Sequence, residues 1–351
     1  MDGSKPQHGG IAAVLGYRHD GLGARLMAMG NGLRVAAKVG CPFGFVWTTD
    51  PDLANIAEPS ALFDIAAMAK ADVPFMSIVD AFVLPVDSRL IFATGNLSTL
   101  DIAAVPAGST LLTTCAATLL LQDEAVIVAR NGLSKAMKKI VPTPQIVERS
   151  EAFMNRHDLP TAIGVHVRRG DIVRPDYPRR DQRVVALDQY FAMLDLNRTR
   201  DEQIFLCTED RSVIDAFEVR YPNRVLRYPT RSWDRADRGA VEDALVEIIA
   251  LGRTSFVIGG PSCFSRAATG LGLNPLVAIV NTVAGDARNF MSAAVEFIRF
   301  GMLDRAASNL AACESAPESD VLVALRKRFD LALGASQARA VRNAKPAPGT
   351  T

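Results

Sequence analysis

Short apolar runs that alternate with helix-period segments constrain this chain more than any other feature. The alternation is regular from residue 162 onward. Residues 162–167, 204–207, 256–258 and 276–280 read as buried strands. Between them, residues 187–194, 213–221, 238–252 and 265–271 read as helices. In the third of these, Val241, Leu245, Ile248 and Ile249 share one face. Such alternation implies a parallel, doubly wound sheet. The N-terminal part repeats the theme, with a strand at 11–15, then Gly21-Leu22-Gly23, then a helical pattern through Leu26, Met29, Leu33 and Ala37, then a strand at 43–48. Residues 54–71 read as helix. Residues 140–144, with two prolines, read as extended and 145–156 as helix.

The expected fold class is α/β, with two Rossmann-like doubly wound domains facing a cleft and helices at the C-terminal end. The domains fall at 1–150 and 151–285, joined near Pro142. Helices without strands follow over 286–334, clearest at 290–333. Residues 335–351, rich in Ala, Pro and Arg, are expected to be disordered. A length of 351 residues with 49% hydrophobic content supplies two cores of ordinary size.

Charge and cysteine usage narrow the function classes. The chain has 39 basic and 38 acidic residues, a balance that argues against a nucleic-acid partner. The five cysteines are odd in number, widely spaced and without a CxxC pair, so neither a zinc site nor a disulfide framework is expected. That pattern suits a reducing compartment, and a cytoplasmic location is expected. Residues 1–10 are polar, without the apolar core of a signal peptide. Residues 102–122 carry no charge, but Pro106, Gly108 and several threonines break them into strand and turn rather than a membrane span.

Ligands in doubly wound sheets bind beyond the carboxyl ends of the strands, so the residues that follow each strand are the candidates. After the strand at 162–167 stand Arg168, Arg169, Gly170 and Asp171, preceded by His166. Two guanidinium forks at a strand end suit phosphate oxygens, and an exposed basic turn with an Arg–Asp pair is the plainer reading. His166, among apolar neighbours, reads as a packed side chain rather than a base. Gly259-Gly260-Pro261-Ser262-Cys263-Phe264-Ser265-Arg266 lies between strand and helix, and forms either an anion site or an ordinary helix cap. Thr208-Glu209-Asp210 ends the strand at 204–207 and either bonds a nucleoside or caps the next helix. Gly21 and Gly23 open the first helix without a full GxGxxG pattern. Asp50-Pro51-Asp52 reads as a surface turn in preference to a metal-holding DxD.

Together these segments resemble the GDP-fucose-dependent fucosyltransferase superfamily, which comprises alpha-1,2-, alpha-1,6- and protein O-fucosyltransferases. Ile163-Gly164-Val165-His166-Val167-Arg168-Arg169-Gly170-Asp171 is similar to its first motif. Ile204 through Asp210 is similar to the second, and Glu242 through Arg266 to the third. The N-terminal half matches through Gly21-Leu22-Gly23, with Ala24 where the family often has asparagine. The resemblance implies a GT-B fold, a donor held mainly by the C-terminal domain, and neither metal nor cofactor. It implies that Arg168 and Arg169 hold the diphosphate, that Glu209 and Asp210 lie near the nucleoside, and that Glu247 faces it from its helix. Ser262, Phe264 and Ser265 would complete the phosphate and base site. His166, Asp171, Gly21 and Gly23 join the donor site by their place in the motifs. Asp176 aligns with a carboxylate that some members place near the acceptor hydroxyl.

The expected partners are therefore a nucleotide-sugar donor and a glycan-type acceptor. Three alternatives compete: a glycosyltransferase using another nucleotide sugar, a non-catalytic nucleotide-sugar or glycan binder, and an interaction protein that docks a partner through the helices at 290–333.

Overall fold

The computed structural model describes residues 10–49, 57–71, 73, 75–77, 90–93, 99–175, 183–234, 236–282, 286–313 and 319–344. Local chemistry sets many of the element ends. Thr143-Pro144 opens one helix with proline in its first turn, where a missing N–H costs nothing. Asp210, Asp237, Ser262 and Asp286 each cap a helix by accepting from a backbone N–H two residues on.

The strands are β1 (Ala13–Tyr17), β2 (Phe43–Trp47), β3 (Phe75–Ser77), β4 (Leu90–Ala93), β5 (Thr99–Leu100), β6 (Thr110–Thr113), β7 (Leu120–Leu121), β8 (Ile163–His166), β9 (Ile204–Cys207), β10 (Val225–Leu226), β11 (Phe256–Gly259) and β12 (Leu276–Ala278). They form two five-stranded sheets, ordered β3-β2-β1-β6-β4 and β10-β9-β8-β11-β12, and a β5-β7 pair. Every ladder among them is parallel. The helices are α1 (Leu22–Val39), α2 (Pro59–Leu62), α3 (Ile65–Lys70), α4 (Val126–Met137), α5 (Pro144–Arg156), α6 (Leu187–Asn197), α7 (Arg211–Arg220), α8 (Arg238–Leu251), α9 (Cys263–Gly272), α10 (Ala287–Arg299), α11 (Leu303–Ala311) and α12 (Asp320–Ala344).

The second sheet is buried on both faces, as a parallel sheet requires. Its side chains sort by strand period. Ile204 and Leu206 join one core with α6, α7 and α10, while Phe205 and Cys207 point into the other. That other core continues across into the N-terminal half, through Leu26, Met29 and Leu33 of α1, Leu133 and Met137 of α4, and Ala267 and Ala268 of α9. The two cores therefore do not divide one per half. The core that takes Phe205 and Cys207 fills the N-terminal half and the seam, so apolar burial ties the sheets together.

Two expectations need correction. Helix was expected over 54–71. Its described part is two short helices, α2 and α3. Phe63 between them is 1% exposed and bridges to Pro142, while Asp64 caps α3 by accepting from the Ala67 N–H at 2.9 Å. Helix-period spacing did not reveal that Asp64 restarts the helix. The tail was expected to be disordered from 335. Residues 335–344 instead continue α12. Ala, Gln and Arg are strong helix formers, and the prolines that suggested disorder stand only at 346 and 348. All five cysteines are unbridged. No helix among the described residues is long and apolar enough to cross a membrane, and residues 102–122 contain β6 and β7.

Candidate active site

In the second sheet the strand order reverses at β8, and such a reversal is where these sheets hold ligands. His166 lies in register with Cys207 on one side and Gly259 on the other. The three expected segments, after β8, β9 and β11, therefore leave the sheet at one edge.

The two arginines are in different states. Arg168 Nη2 donates to both carboxylate oxygens of Asp171, at 2.9 Å each, in a partly exposed pair. Arg169 donates its backbone N–H to Glu209 Oε1 at 3.0 Å. Its guanidinium makes one long bond, from Nη1 to the Arg168 carbonyl at 3.4 Å, and pairs with no carboxylate among the described residues. Gly170 makes this turn possible. Its φ is +32°, and a Cβ there would lie 2.6 Å from Glu209 Oε1. Glu209 thus closes onto the backbone of the arginine turn.

The acidic residues also divide. Asp210 caps α7, accepting from the Ser212 N–H at 2.8 Å and the Ser212 hydroxyl at 2.6 Å; the hydroxyl bond is the main reason its pKa is lowered. Glu247 on α8 has no comparable donor among the described residues to hold its charge. Burial, and then the like charge of Glu209, push its pKa up to about 8, with Arg227 opposing. The folded protein therefore holds a proton that the unfolded chain releases near pH 4.5. Stability from this group is present below about pH 4.5 and declines as pH rises toward about 8. Glu247→Gln is expected to melt higher than wild type, by a margin that widens from pH 5 to 8. Thermal melts across that range check it, and a margin independent of pH would show that Glu247 ionises normally.

At the head of α9, Ser262 accepts from the Phe264 N–H at 3.2 Å, and Ser265 donates its hydroxyl to the Ser262 carbonyl at 3.1 Å. Phe264 stacks on His166 with ring centres 4.6 Å apart and planes 18° from parallel. Burial, with Arg168 nearby, pulls the His166 pKa down to about 3, so the ring stays neutral at working pH. Its Nδ1 is buried without a partner among the described residues. Tyr190 of α6 was not anticipated. Its buried hydroxyl lies against Gly260, where a Cβ would stand 3.0 Å from it, and in the field of Arg169 and Glu209. In the sequence it is one more apolar position of a core helix.

The N-terminal half reaches this edge through the turn after β1. Gly21 caps α1 and has open space where a Cβ would stand, whereas a Cβ at Gly23 would lie 2.7 Å from the Cys263 carbonyl group and the Phe264 nitrogen. Gly23 is therefore a point of close backbone approach between the halves. Arg25, fully buried over the Trp47 ring, ties the turn by donating to the carbonyls of Asp20 at 2.9 Å and Thr48 at 2.7 Å. Arg18 pairs with Asp20 and donates to the Thr114 carbonyl at 3.0 Å. It acts electrostatically on Cys263, as do Arg266 and Arg168. Arg18 could have been found by the rule that singles out residues just after strands. Asp176, Asp50 and Asp52 lie outside the described residues. Among the described residues, no group of three or more His, Cys, Asp or Glu could hold a metal ion.

No family model matches the chain, and no curated protein matches it. Solved structures do. The chain is similar to the NodZ alpha-1,6-fucosyltransferase soaked with GDP-fucose, at 19% identity and a TM-score of 0.51, over 78% of this chain and 100% of that one. The same enzyme co-crystallised with GDP matches at 18% identity and a TM-score of 0.50, over 77% and 95%. Fucosyltransferase NodZ from Bradyrhizobium matches at 19% and 0.50, over 77% and 96%. The likeness establishes a shared fold along nearly the whole of those chains, in line with the superfamily that the three motifs resemble.

Proposed function

We propose that this protein is a glycosyltransferase that moves fucose from GDP-fucose to a hydroxyl of a glycan-type acceptor without a metal ion. The observation that carries the reading is the convergence of Arg168, Arg169, Glu209 and the Ser262 turn at the β8 switch point. The shared fold with an enzyme that was soaked with GDP-fucose supports it.

The chemistry follows from the charges. As the sugar leaves, negative charge grows on the terminal phosphate oxygen of the nucleoside diphosphate. A guanidinium that meets that oxygen binds the transition state more tightly than the ground state, which is what accelerates a reaction. Arg169, without a carboxylate partner among the described residues, receives the diphosphate directly, and Arg168 reaches it from its hold on Asp171. The head of α9 adds the partial positive charge of its backbone amides. Glu247, in the field of Glu209, offers a carboxyl to the base. Asp176 is assigned to the acceptor side on the family resemblance alone. Asp210, engaged as a cap, contributes through the turn it holds.

GDP or GDP-fucose is expected to raise the melting temperature more than UDP or ADP. At a hundredfold excess over the dissociation constant, the stabilisation is about 2.7 kcal/mol. Equal shifts for all three diphosphates would leave a phosphate site and remove the case for guanine. A binder without turnover would show the same shift, so the separation between the two readings rests on transfer itself.

A further inference from the structure

Beside the middle of α9 lies a cavity of about 220 Å³, walled by α4, α9, α10, β12 and the loop before β7. Its polar lining is Thr118, Arg130, Arg266, Thr269 and Glu296; Val126 and Leu133 are among its apolar walls. Arg130 is already satisfied. It donates to Glu296 at 2.5 Å and to the Asn274 carbonyl at 2.9 Å. Glu296 is shared further with Arg299. Arg266 differs. Its half-buried guanidinium makes no hydrogen bond and no ion pair with any described residue. A guanidinium withdrawn from water gains most from an anion that fills its donor fork.

The charge balance of the cavity agrees. Two guanidinium groups face one carboxylate, and that carboxylate is taken by Arg130. The cavity also adjoins the donor site. Cys263, at the start of α9, lies in the fields of Arg266 and Arg168 together, and Cys115 across the seam feels Arg266 and Arg18. An anion held at Arg266 therefore sits one helical turn from the Ser262 cap, against both halves of the chain.

We propose that this cavity anchors the acceptor, and that Arg266 binds an acidic group on it, a carboxylate or a phosphate. Thr118 supplies a hydroxyl from the loop before β7, and the apolar side takes the uncharged face of the ligand. The assignment to an acceptor rests on the fucosyl-transfer reading; the anion site itself rests on the cavity.

The test uses calorimetry on the full chain loaded with GDP, so that phosphate cannot enter at Arg168 and Arg169. The probes are glucuronate, inorganic phosphate and, as the neutral control, glucose. Glucuronate or phosphate is expected to bind and glucose not. Arg266→Gln is expected to weaken that binding about tenfold or more, the scale of a lost hydrogen-bonded charge. Val126→Phe, which fills the cavity and keeps Arg266, is expected to weaken it as well. Thermal melts establish that each variant is folded. Binding of glucuronate alone assigns a carboxylate, and of phosphate alone a phosphate. No anion binding to the GDP-loaded wild type, or unchanged binding in folded Arg266→Gln, overturns the proposal. If GDP fails to bind while anion binding still depends on Arg266, the anion site stands and the acceptor assignment is overturned.

Discussion

Arg168→Lys is expected to lower turnover about a hundredfold and to leave the fold intact. The side chain holds both oxygens of Asp171, and that pair is partly exposed. An exposed ion pair is worth at most about 1 kcal/mol, and lysine keeps the charge, so stability should hardly change. Lysine loses the two-pronged fork. If the fork meets the leaving diphosphate, the lost transition-state stabilisation is roughly 3 kcal/mol, on the scale of an oxyanion donor, or about a hundredfold in rate. The loss should fall mainly on kcat, with a smaller loss of GDP affinity. Single-turnover transfer by both proteins, each checked by thermal melt, decides it. Wild-type turnover from a well-folded Arg168→Lys protein would reduce Arg168 to a surface pair.

Gly23→Ala is expected to destabilise the chain and to disturb the donor site from the opposite half. Replacing a helical glycine by alanine ordinarily gains up to about 1 kcal/mol. Here the new Cβ would lie 2.7 Å from the Cys263 carbonyl group and the Phe264 nitrogen. Those are main-chain atoms of the first turn of α9, fixed by the Ser262 cap, so no flexible side chain can give way. Overpacking of this kind costs about 1–3 kcal/mol or more, and it outweighs the gain in helix propensity. Relief requires α1 and the first turn of α9 to part, and a shift of that turn moves Phe264 against His166. A lower melting temperature and a weaker GDP shift are the expected results. Gly21→Ser is the control. Its surroundings are open, and serine is a better N-cap, so it should be neutral or stabilising. A Gly23→Ala protein as stable as wild type would mean that the halves do not depend on this approach.

The ends of β8, β9 and β11 were legible because each is a short apolar run followed by charged or turn-forming residues, whereas the two-residue β10 carries too short a run to read. Ile163 to His166 and then two arginines leave little choice of edge. Parallel pairing and right-handed crossovers then bring the ends of β8, β9 and β11 together. What escaped the sequence depends on contacts distant in the chain. The roles of Arg25 and Arg18 rest on carbonyls of Thr48 and Thr114, contributed by other loops. Tyr190 meets Gly260 only because α6 packs beneath the turn after β11. Glu209 was read as a nucleoside contact, but its bond to the Arg169 N–H also makes it part of the arginine turn, which needs the Gly170 geometry to be seen. The continuous core across the seam could not be read from a strand pattern, since Phe205 and Leu206 are equally apolar and differ only in the face they take.

On the reading proposed here, the cluster at the β8 switch point breaks the bond between fucose and GDP rather than merely holding the nucleotide. The direct measurement is release or transfer of labelled fucose from GDP-fucose by purified protein in EDTA, with a panel of glycan acceptors and with acceptor left out. The predicted result is fucose separated from GDP in EDTA, faster with the right acceptor, at a rate that falls about a hundredfold in Arg168→Lys. Saturating binding of GDP-fucose with the donor recovered intact under every condition would contradict it, and would make the protein a nucleotide-sugar binder.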